Sequence, residues 1–219
     1  MTFRDRIDAG HRLGERLREV RHARPVVLGL PRGGVVVAAG VAEQLGAPLD
    51  IVVARKLGVP WQPELAFGAV AAGVVVLRDD VVRASGIDRA TIDAAAERES
   101  SRLAELADRH RAGLPPVPLA GATAIIVDDG LATGATATAA ARSVKREGPG
   151  RVIVAVPVCS AGTADALRAE VDEVVCLEEH RDFHAVGRYY ADFSEVTDEM
   201  VRDLLLGGGR LPPPIGIPR

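Results

Sequence analysis

A buried strand that ends in two adjacent acids and opens into a helix constrains this sequence more than any other stretch. Residues 122–127 have the apolar character of a short buried strand, and Asp128 and Asp129 follow directly. A small, hydroxyl-rich loop over 130–136 then leads into a predicted helix over 137–147. In open α/β sheets ligands bind where the strands end, and the free N–H groups of a helix N-terminus favour a phosphate. Because carboxylates repel phosphate, the two acids are suited to sugar hydroxyls or to a divalent cation.

The order of residues in this stretch resembles the ribose-5-phosphate loop of the type I phosphoribosyltransferases, which use 5-phosphoribosyl-1-pyrophosphate (PRPP). The family pattern is four apolar residues, two acids, a few residues and Thr-Gly-x-Thr, and residues 125–136 match it throughout. The resemblance implies that Asp128 and Asp129 hold the ribose 2- and 3-hydroxyls. It also implies Mg²⁺ as the cofactor, which the two acids would contact indirectly, through PRPP or water. The 5-phosphate would be held by the end of the loop, namely Ala132, Thr133, Gly134, Ala135 and Thr136.

A second strand–loop–helix unit carries a positive charge at the corresponding position. An apolar strand predicted over 24–30 is followed by an Arg-Gly-Gly turn and by a helix predicted over 35–45. Backbone amides in a glycine-containing turn can face an anion, and a guanidinium can make a forked contact with phosphate oxygens. By the same resemblance, Arg32, Gly33 and Gly34 form the pyrophosphate loop.

The segment after the next strand supplies the candidate catalytic residues. Residues 49–54 are predicted as a strand, and Arg55 and Lys56 follow it. Residues 57–64 contain one glycine and two prolines, which predicts a loop. Members of the family carry a mobile catalytic loop here, so the resemblance assigns Arg55 and Lys56 to the pyrophosphate. Glu64, the only acid of this loop, is a candidate general base, with a solvated surface glutamate as an equal alternative.

Alternating strands and helices define the fold class. They predict an α/β fold, a doubly wound parallel sheet flanked by helices, with a small C-terminal hood. The further predicted elements are helices over 3–22, 88–111, 161–169 and 197–206, strands over 151–158 and 172–177, and a hairpin over 66–77. The chain is predicted to form a single domain over 1–219, with its core over about 24–178, its hood over 1–22 and 179–206, and a mobile tail over 207–219.

The C-terminal part is rich in aromatic residues, which lie in one short span together with two histidines. The resemblance implies that this end folds over the site as a hood and recognises a nitrogenous base. The candidates for contact with the base are Cys159, Phe183, Tyr189 and Tyr190. An equal alternative is that the aromatic residues form a small hydrophobic core of the hood, with the two tyrosines pairing at a strand edge.

Charge and composition narrow the range of partners. The net charge of −3 and pI near 6.0 give no electrostatic basis for nucleic acid binding. No apolar run reaches the roughly 18 residues of a membrane span, and no signal peptide is recognised. Cys159 and Cys176 lack metal-ligand spacing and are predicted to be free thiols in a reducing compartment. We therefore expect a cytoplasmic homodimer that binds PRPP and a small nitrogenous acceptor, and neither nucleic acid nor membrane.

The predicted function is transfer of the 5-phosphoribosyl group from PRPP to a nitrogenous base or amine, with release of pyrophosphate. Hypoxanthine-guanine members place a carboxylate just before the Thr-Gly, where this chain has Ala132, and no lysine follows Lys145. A 6-oxopurine acceptor is therefore disfavoured, whereas adenine, a pyrimidine or an unusual amine stay open. The alternative is a regulatory protein that senses PRPP or nucleotides without turnover. A third interpretation is a hydrolase that uses the same loop.

Overall fold

The computed structural model describes residues 2–209, which form two β-sheets surrounded by helices. The strands are β1 (Pro25–Gly29), β2 (Leu49–Ile51), β3 (Ala54–Val59), β4 (Gln62–Ala71), β5 (Val74–Leu77), β6 (Thr123–Val127), β7 (Arg151–Ser160) and β8 (Glu173–His180). The helices are α1 (Arg6–Arg16), α2 (Gly33–Leu45), α3 (Asp79–Ser85), α4 (Arg89–Arg111), α5 (Ala135–Lys145), α6 (Ala161–Arg168) and α7 (Asp198–Leu206). Short 3₁₀ turns lie at Arg18–Val20 and Val186–Tyr189.

The larger sheet is entirely parallel and lies between helical layers. Its strand order is β2-β1-β6-β7-β8, and every neighbouring pair runs in the same direction. All residues of β1 and β6 are buried, as expected when helices cover both faces of a parallel sheet. Separate apolar clusters pack on its two faces, one with α2 and α4 and the other with α5 and α6. The predicted α/β fold with a parallel sheet flanked by helices is confirmed.

The order of the strands creates a crevice between β1 and β6. After β1 the chain crosses to β2 on one side, whereas β6 lies on the other side of β1. Gly29 and Val127 are register partners at the ends of these strands, and the Leu30 N–H donates to the Val127 carbonyl at 2.8 Å. Ligands of open α/β sheets bind at such a reversal of strand order. The loops that follow β1 and β6 therefore meet where a ligand is expected.

The prediction of a loop over 57–64 is wrong, because these residues belong to the antiparallel pair β3–β4. Leu57 and Val59 are buried, which gives β3 the alternation of a strand with one covered face. Pro60 stands in the tight turn, and Pro63 lies beside a register shift where it cannot interrupt regular pairing. The strand predicted over 49–54 is likewise divided between the two sheets, with β2 in one and the start of β3 in the other.

The N-terminal helix is shorter than predicted. Asp5 caps α1 by accepting a hydrogen bond from the Asp8 N–H, so the helix begins at Arg6 rather than Phe3. Phe3 instead forms a backbone bridge with Tyr190. The helix ends at Arg16, and only the short 3₁₀ turn continues toward His22. The predicted helix over 3–22 therefore merged an extended entry, a helix and a turn.

The other predicted elements agree more closely with the structure. The long helix α4 is capped by Asp88, and the β4–β5 hairpin turns at Gly73, whose φ is +67°. Helix α3 was not predicted. We use the name hood segment for residues 181–197, which contact the N-terminal residues through hydrogen bonds from the Phe3 N–H to Tyr189 O and from the Ala191 N–H to Phe3 O.

The end of the chain is described only in part. Helix α7 closes in a turn over 207–209, and the remaining residues of the predicted mobile tail, 210–219, lie outside the described residues. Within residues 2–209, none of the helices combines the length and apolar character needed to cross a bilayer.

Candidate active site

Two glycines bring the loops after β1 and β6 into direct contact. A Cβ atom on Gly34 would lie 2.7 Å from the Val127 carbonyl oxygen and 2.8 Å from Asp128 Cα. A Cβ atom on Gly33 would overlap the Asp129 carboxylate oxygen Oδ2. These separations are shorter than any side chain tolerates, so only glycine allows this approach. The Arg-Gly-Gly turn and the paired acids are thus parts of one site.

Arg32 joins this site to the hood segment. The peptide bond between Pro31 and Arg32 is cis, and Arg32 is the residue that precedes the first turn of α2. Its Nη2 donates to Glu195 Oε1 at 3.0 Å, and both side chains are well exposed. An exposed ion pair contributes at most about 1 kcal/mol, so an incoming anion can replace Glu195 at little cost.

A cavity of about 370 Å³ opens beside the two loops. Four of the predicted site residues line it, namely Arg55, Lys56, Asp128 and Thr136, together with Leu30, Pro31 and Ala54. The cavity therefore combines two cations, one carboxylate and one hydroxyl at the carboxyl edge of the parallel sheet. These groups match a ligand that carries both phosphate and hydroxyl groups.

The paired acids each leave one carboxylate oxygen without a partner among residues 2–209. Asp128 Oδ1 accepts from the Asp129 N–H at 2.9 Å, and Asp129 Oδ2 accepts from Arg6 Nε at 2.8 Å. Burial, followed by the charge of Asp129, raises the pKa of Asp128 well above its usual value. Burial also raises the pKa of Asp129, although the charge and hydrogen bond of Arg6 oppose that shift. The two acids therefore share a partly buried position that disfavours two negative charges when no ligand is bound.

The loop that follows the paired acids is fixed at its start. The Leu131 N–H donates to Val158 O at 2.9 Å, and the Ser160 N–H donates to Leu131 O at 3.0 Å. Gly134 has a φ of +73° and immediately precedes α5, whose first N–H groups face the loop. Thr163 Oγ1 donates to Ala132 O at 2.7 Å. The result is a preformed helix N-terminus of the kind that binds phosphate.

Arg55 is held in place by a buried glutamate on α4. Arg55 Nε donates to Glu99 Oε2 at 2.6 Å, and Arg102 Nη1 donates to Glu99 Oε1 at 3.0 Å. Burial would raise the pKa of Glu99, but the hydrogen bond and charge of Arg55 hold this pKa below its usual value. Glu99 is therefore a buried anion that orients one cation of the cavity.

A second cavity, of about 360 Å³, lies between α4, β2 and the end of α5. Its buried charge is already paired: Asp50 Oδ1 accepts from Arg111 Nε at 2.8 Å, and Asp50 Oδ2 accepts from the Val117 N–H at 2.9 Å. With these charges satisfied internally, this cavity offers less to a phosphorylated ligand than the one lined by Arg55 and Lys56.

Comparison with known proteins identifies the family. The sequence model described as "Phosphoribosyl transferase domain" matches residues 6–194 of this chain. The chain belongs to the phosphoribosyl transferase domain family. The match extends from Arg6, which contacts Asp129, into the hood segment, so it includes the loops after β1 and β6 and the β3–β4 hairpin.

Similar proteins of this family include relatives from Mycobacterium tuberculosis and Thermus thermophilus. The chain is 48% identical over 200 residues to "Putative phosphoribosyl transferase Rv0571c" of Mycobacterium tuberculosis H37Rv, and equally to its counterpart MT0597 in strain CDC 1551. The aligned region covers 91% of this chain but 45% of each relative, so the chain spans less than half the length of these curated relatives. The crystal structure of TT1426 from Thermus thermophilus is 47% identical, covers 95% of this chain and 99% of that chain, and superimposes with a TM-score of 0.79.

In this phosphoribosyl transferase domain the aromatic candidates occupy different environments. Tyr190 is 2% exposed, packs on Phe3, and donates its hydroxyl hydrogen to the Asp129 carbonyl at 2.6 Å. Burial, followed by the charge of Asp129, raises the pKa of the Tyr190 hydroxyl. Tyr189 stacks on Phe183 with ring centroids 5.4 Å apart, and both are partly exposed. Tyr190 thus matches the alternative of a core residue, and Tyr189 with Phe183 keeps an accessible face.

Two other candidates lie apart from the cavity of Arg55 and Lys56. Cys159 is fully buried and forms a backbone bridge with Leu131, and its Sγ lies 2.7 Å from Sγ of Cys176, which is also a free thiol. The contact with Cys159, together with burial, raises the pKa of the Cys176 thiol. Glu64 is exposed near the turn of the β3–β4 hairpin and does not line the cavity.

Sequence reasoning missed Arg6 and Glu99, which contact predicted site residues. A signal for Glu99 was present, because it lies on the same face of α4 as Ile92, Ala95 and Leu103. An acid within an apolar stripe is a candidate buried ion-pair partner. Arg6 carried no comparable signal, since it begins an amphipathic helix that contains several arginines.

Proposed function

We propose that this chain is a phosphoribosyltransferase, which transfers the 5-phosphoribosyl group of PRPP to a nitrogenous base or amine and releases pyrophosphate. One observation carries the proposal. Asp128, Thr136 and the cations Arg55 and Lys56 line a single cavity at the reversal of strand order, beside the Arg-Gly-Gly turn. A ligand that has a sugar diol between two phosphorylated ends fits this distribution of charges. Membership of the phosphoribosyl transferase domain family supports the same assignment.

The assignment of groups follows the charges. Asp128 and Asp129 would accept hydrogen bonds from the ribose hydroxyls, each through the oxygen without an internal partner. The loop Ala132, Thr133, Gly134, Ala135 and Thr136 would bind the 5-phosphate at the N-terminus of α5. The pyrophosphate would lie against Arg32, Gly33, Gly34, Arg55 and Lys56.

The acids fit a weakly held magnesium ion rather than a closed metal cage. Among residues 2–209 no cluster of three or more His, Cys, Asp or Glu side chains is placed to hold a metal. Mg²⁺ in phosphate-binding enzymes usually keeps several waters and takes one or two carboxylates plus the substrate phosphates. Asp128 and Asp129 would hold it indirectly, through PRPP or water. When bound, Mg²⁺ supplies positive charge that neutralises the pyrophosphate leaving group.

The protein itself contributes position and charge. As the bond between ribose C1 and the pyrophosphate oxygen breaks, its electron pair leaves with pyrophosphate. Arg32, Arg55 and Lys56 would stabilise that growing negative charge. A nitrogen of the acceptor uses its lone pair to form the new bond to C1, and the proton that this nitrogen loses passes to the departing pyrophosphate or to water, while the diol and the 5-phosphate stay fixed. No nucleophilic side chain is needed, because alignment of two bound reactants lowers the barrier.

The acceptor is proposed only by class. Ala132 stands where a carboxylate contacts 6-oxopurines in other members, so adenine, a pyrimidine or an unusual amine are better candidates. Phe183 and Tyr189, whose rings stack on each other, offer a partly exposed aromatic surface to a flat ring. The proposed hood is completed by the N-terminal residues that pair with Tyr189 and Ala191.

Calorimetric titration of the purified chain with PRPP and Mg²⁺ tests this function directly. We expect saturable binding, and loss of detectable binding in the double variant Asp128→Asn/Asp129→Asn at unchanged thermal stability. A folded protein that does not bind PRPP overturns the proposal. Pyrophosphate release across a panel of bases then separates an enzyme, which needs an acceptor, from a sensor, which releases none. Release without any added base indicates a hydrolase.

A further inference from the structure

Arg6 reaches from the start of α1 into the proposed ribose site. Its side chain is 11% exposed, and Nε donates to Asp129 Oδ2 at 2.8 Å. Nη1 donates to the Ser194 carbonyl at 2.8 Å. Arg6 therefore connects one of the two paired acids to the hood segment. It lies 123 positions from Asp129 and 188 positions from Ser194 in the sequence.

The guanidinium is enclosed between an aromatic ring and a glycine. Arg6 Cζ lies 3.7 Å from the centroid of the Phe193 ring, within the range of a cation–π contact. On the other side, a Cβ atom on Gly33 would come within 2.8 Å of Arg6 Nε. The pyrophosphate loop therefore leaves room for Arg6 as well as for Asp129. A planar guanidinium fits this slot, whereas the ammonium of lysine cannot make the same stacked and forked contacts.

The positive charge of Arg6 offsets the repulsion between two neighbouring carboxylates. Two adjacent carboxylates are buried together, and Arg6 is the ion-pair partner of Asp129 in the part of the chain that the structure describes. A buried charge without a partner is strongly unfavourable, so the site needs one nearby cation when no ligand is bound. Arg6 occupies only Oδ2 of Asp129 and leaves Oδ1 for another donor.

A second contact fixes the backbone of the same acid. The Tyr190 hydroxyl donates to the Asp129 carbonyl at 2.6 Å, and the Tyr190 ring lies 5.1 Å from Phe193, the ring on which Arg6 stacks. The hood segment thus holds the main chain of Asp129 directly, through Tyr190, and its side chain indirectly, through Arg6. A movement of the hood segment would therefore shift Asp129, although Tyr190 and Arg6 need not contact the ligand themselves.

We propose that Arg6 is a positioning residue for the sugar: it orients Asp129 so that Oδ1 accepts a ribose hydroxyl, and it couples the hood segment to the diol. This inference depends on the proposed function, because it assigns a partner to the ribose-binding acid of that site. It concerns the ribose end of PRPP alone, since Arg32, Arg55 and Lys56 bind the pyrophosphate end.

The matched control is Arg12, on the same helix. Arg12 Cζ lies 4.6 Å from the Phe3 ring centroid, and its Nη1 donates to the Thr2 carbonyl at 2.8 Å. It repeats the stacking and carbonyl contacts of Arg6, but its ion pair is with the partly exposed Asp8 on the same helix, at 4.0 Å. Arg6→Met and Arg12→Met therefore remove the same groups from the same helix, and only the first reaches the site.

Calorimetry with ribose 5-phosphate and, separately, with pyrophosphate and Mg²⁺ tests the proposal on the full chain. For Arg6→Met we expect ribose 5-phosphate to bind about tenfold to a hundredfold more weakly, as for loss of a charge-assisted hydrogen bond. Pyrophosphate should bind within about twofold of wild type. Arg12→Met should match wild type for both ligands. Arg6→Lys, which keeps the charge, should recover part of the ribose 5-phosphate affinity.

The outcomes separate the two proposals. If wild type binds neither PRPP nor ribose 5-phosphate, the proposed function fails and this inference fails with it. If wild type binds both but Arg6→Met equals Arg12→Met, the role of Arg6 is overturned and the function stands. Tighter binding by Arg6→Met also overturns it, because Arg6 would then mask Asp129. If Arg6→Met does not fold, Arg6→Lys carries the test, and wild-type affinity in Arg6→Lys overturns the proposal.

Discussion

At the scale of single residues, the site depends on two glycines, because a larger residue at either position would collide with the paired acids. Gly33 and Gly34 leave space that Asp129, Arg6 and the backbone of Asp128 occupy. The sequence predicted both glycines as part of a pyrophosphate loop, on the ground that they expose backbone amides. It did not predict their contact with the acids, because that contact joins loops almost a hundred residues apart in the chain and depends on strand order.

Substitution of Gly34 by alanine tests this contact. The new methyl group would meet the Val127 carbonyl and Asp128 Cα, which are backbone atoms and cannot rotate away. We expect Gly34→Ala to lose about 1–3 kcal/mol of stability and to bind PRPP at least tenfold more weakly, measured by denaturant unfolding and calorimetry. Gly162→Ala is the control, since a Cβ atom there meets no atom within 4 Å. Equal behaviour of the two variants would refute the contact.

At the scale of elements, helix α4 supports the cavity although it lines none of it. Its buried Glu99 orients Arg55, and its last residue, Arg111, pairs with Asp50 of β2. The extent of this helix was predicted from its cap and its apolar stripe, but its role was not. Sequence patterns describe each helix or strand separately, so they do not predict an ion pair between a helix and a strand. The same limitation explains the wrong loop over 57–64, where pairing between strands outweighed local glycine and proline.

Glu99→Gln isolates the contribution of this helix. The amide keeps the shape of the side chain but loses the charge that pairs with Arg55, so this guanidinium becomes less ordered. Because Arg55 is partly solvated, we expect a modest effect, pyrophosphate binding weaker by roughly threefold to tenfold. Glu97→Gln, at an exposed position of the same helix, should leave the affinity unchanged. Identical affinities for the two variants would show that Glu99 does not orient the cation.

At the scale of the whole molecule, the C-terminal helix closes the fold over a buried histidine. His110 of α4 has no exposed side-chain surface, and neither ring nitrogen has a hydrogen-bond partner among residues 2–209. Nε2 lies 3.6 Å from Asp198 Oδ1 at the start of α7. Burial lowers the pKa of His110; the charge of Asp198 opposes this shift, and Arg109, Arg111 and Arg202 add to it.

The contribution of His110 to the stability of the fold should therefore fall in mild acid. The unfolded chain binds a proton at His110 near its ordinary pKa of about 6.5, whereas the folded protein resists that proton. Lowering the pH through this value favours unfolding, with a slope of up to about 1.4 kcal/mol per pH unit for one proton. We expect His110→Leu to reduce the difference in urea midpoint between pH 7.5 and pH 5.5. His22→Leu, at an exposed site, should keep the wild-type difference.

Much of the architecture was accessible from the sequence because the two ligand loops each follow a strand of nearly uniform apolar character. Asp128, Thr136, Arg55 and Lys56 were predicted as site residues from the resemblance of their segments to a known family, and the structure brings all four to one cavity. What the sequence could not provide were contacts between distant segments, such as Arg6 with Asp129. Those contacts depend on how helices pack on the sheet, which no local pattern specifies.

The carboxylate of Asp50 has a consequence for protein engineering. The chain leaves the parallel sheet after Ile51 and returns at Thr123, and both Arg111 and Val117, near the end of that excursion, bind back to Asp50 at its beginning. The segment between these two points is therefore tied together at its base, and β1 and β6, with the loops that follow them, lie outside it. A designer who replaces this segment has to retain the contacts to Asp50 and to supply new cations in place of Arg55 and Lys56, which line the cavity.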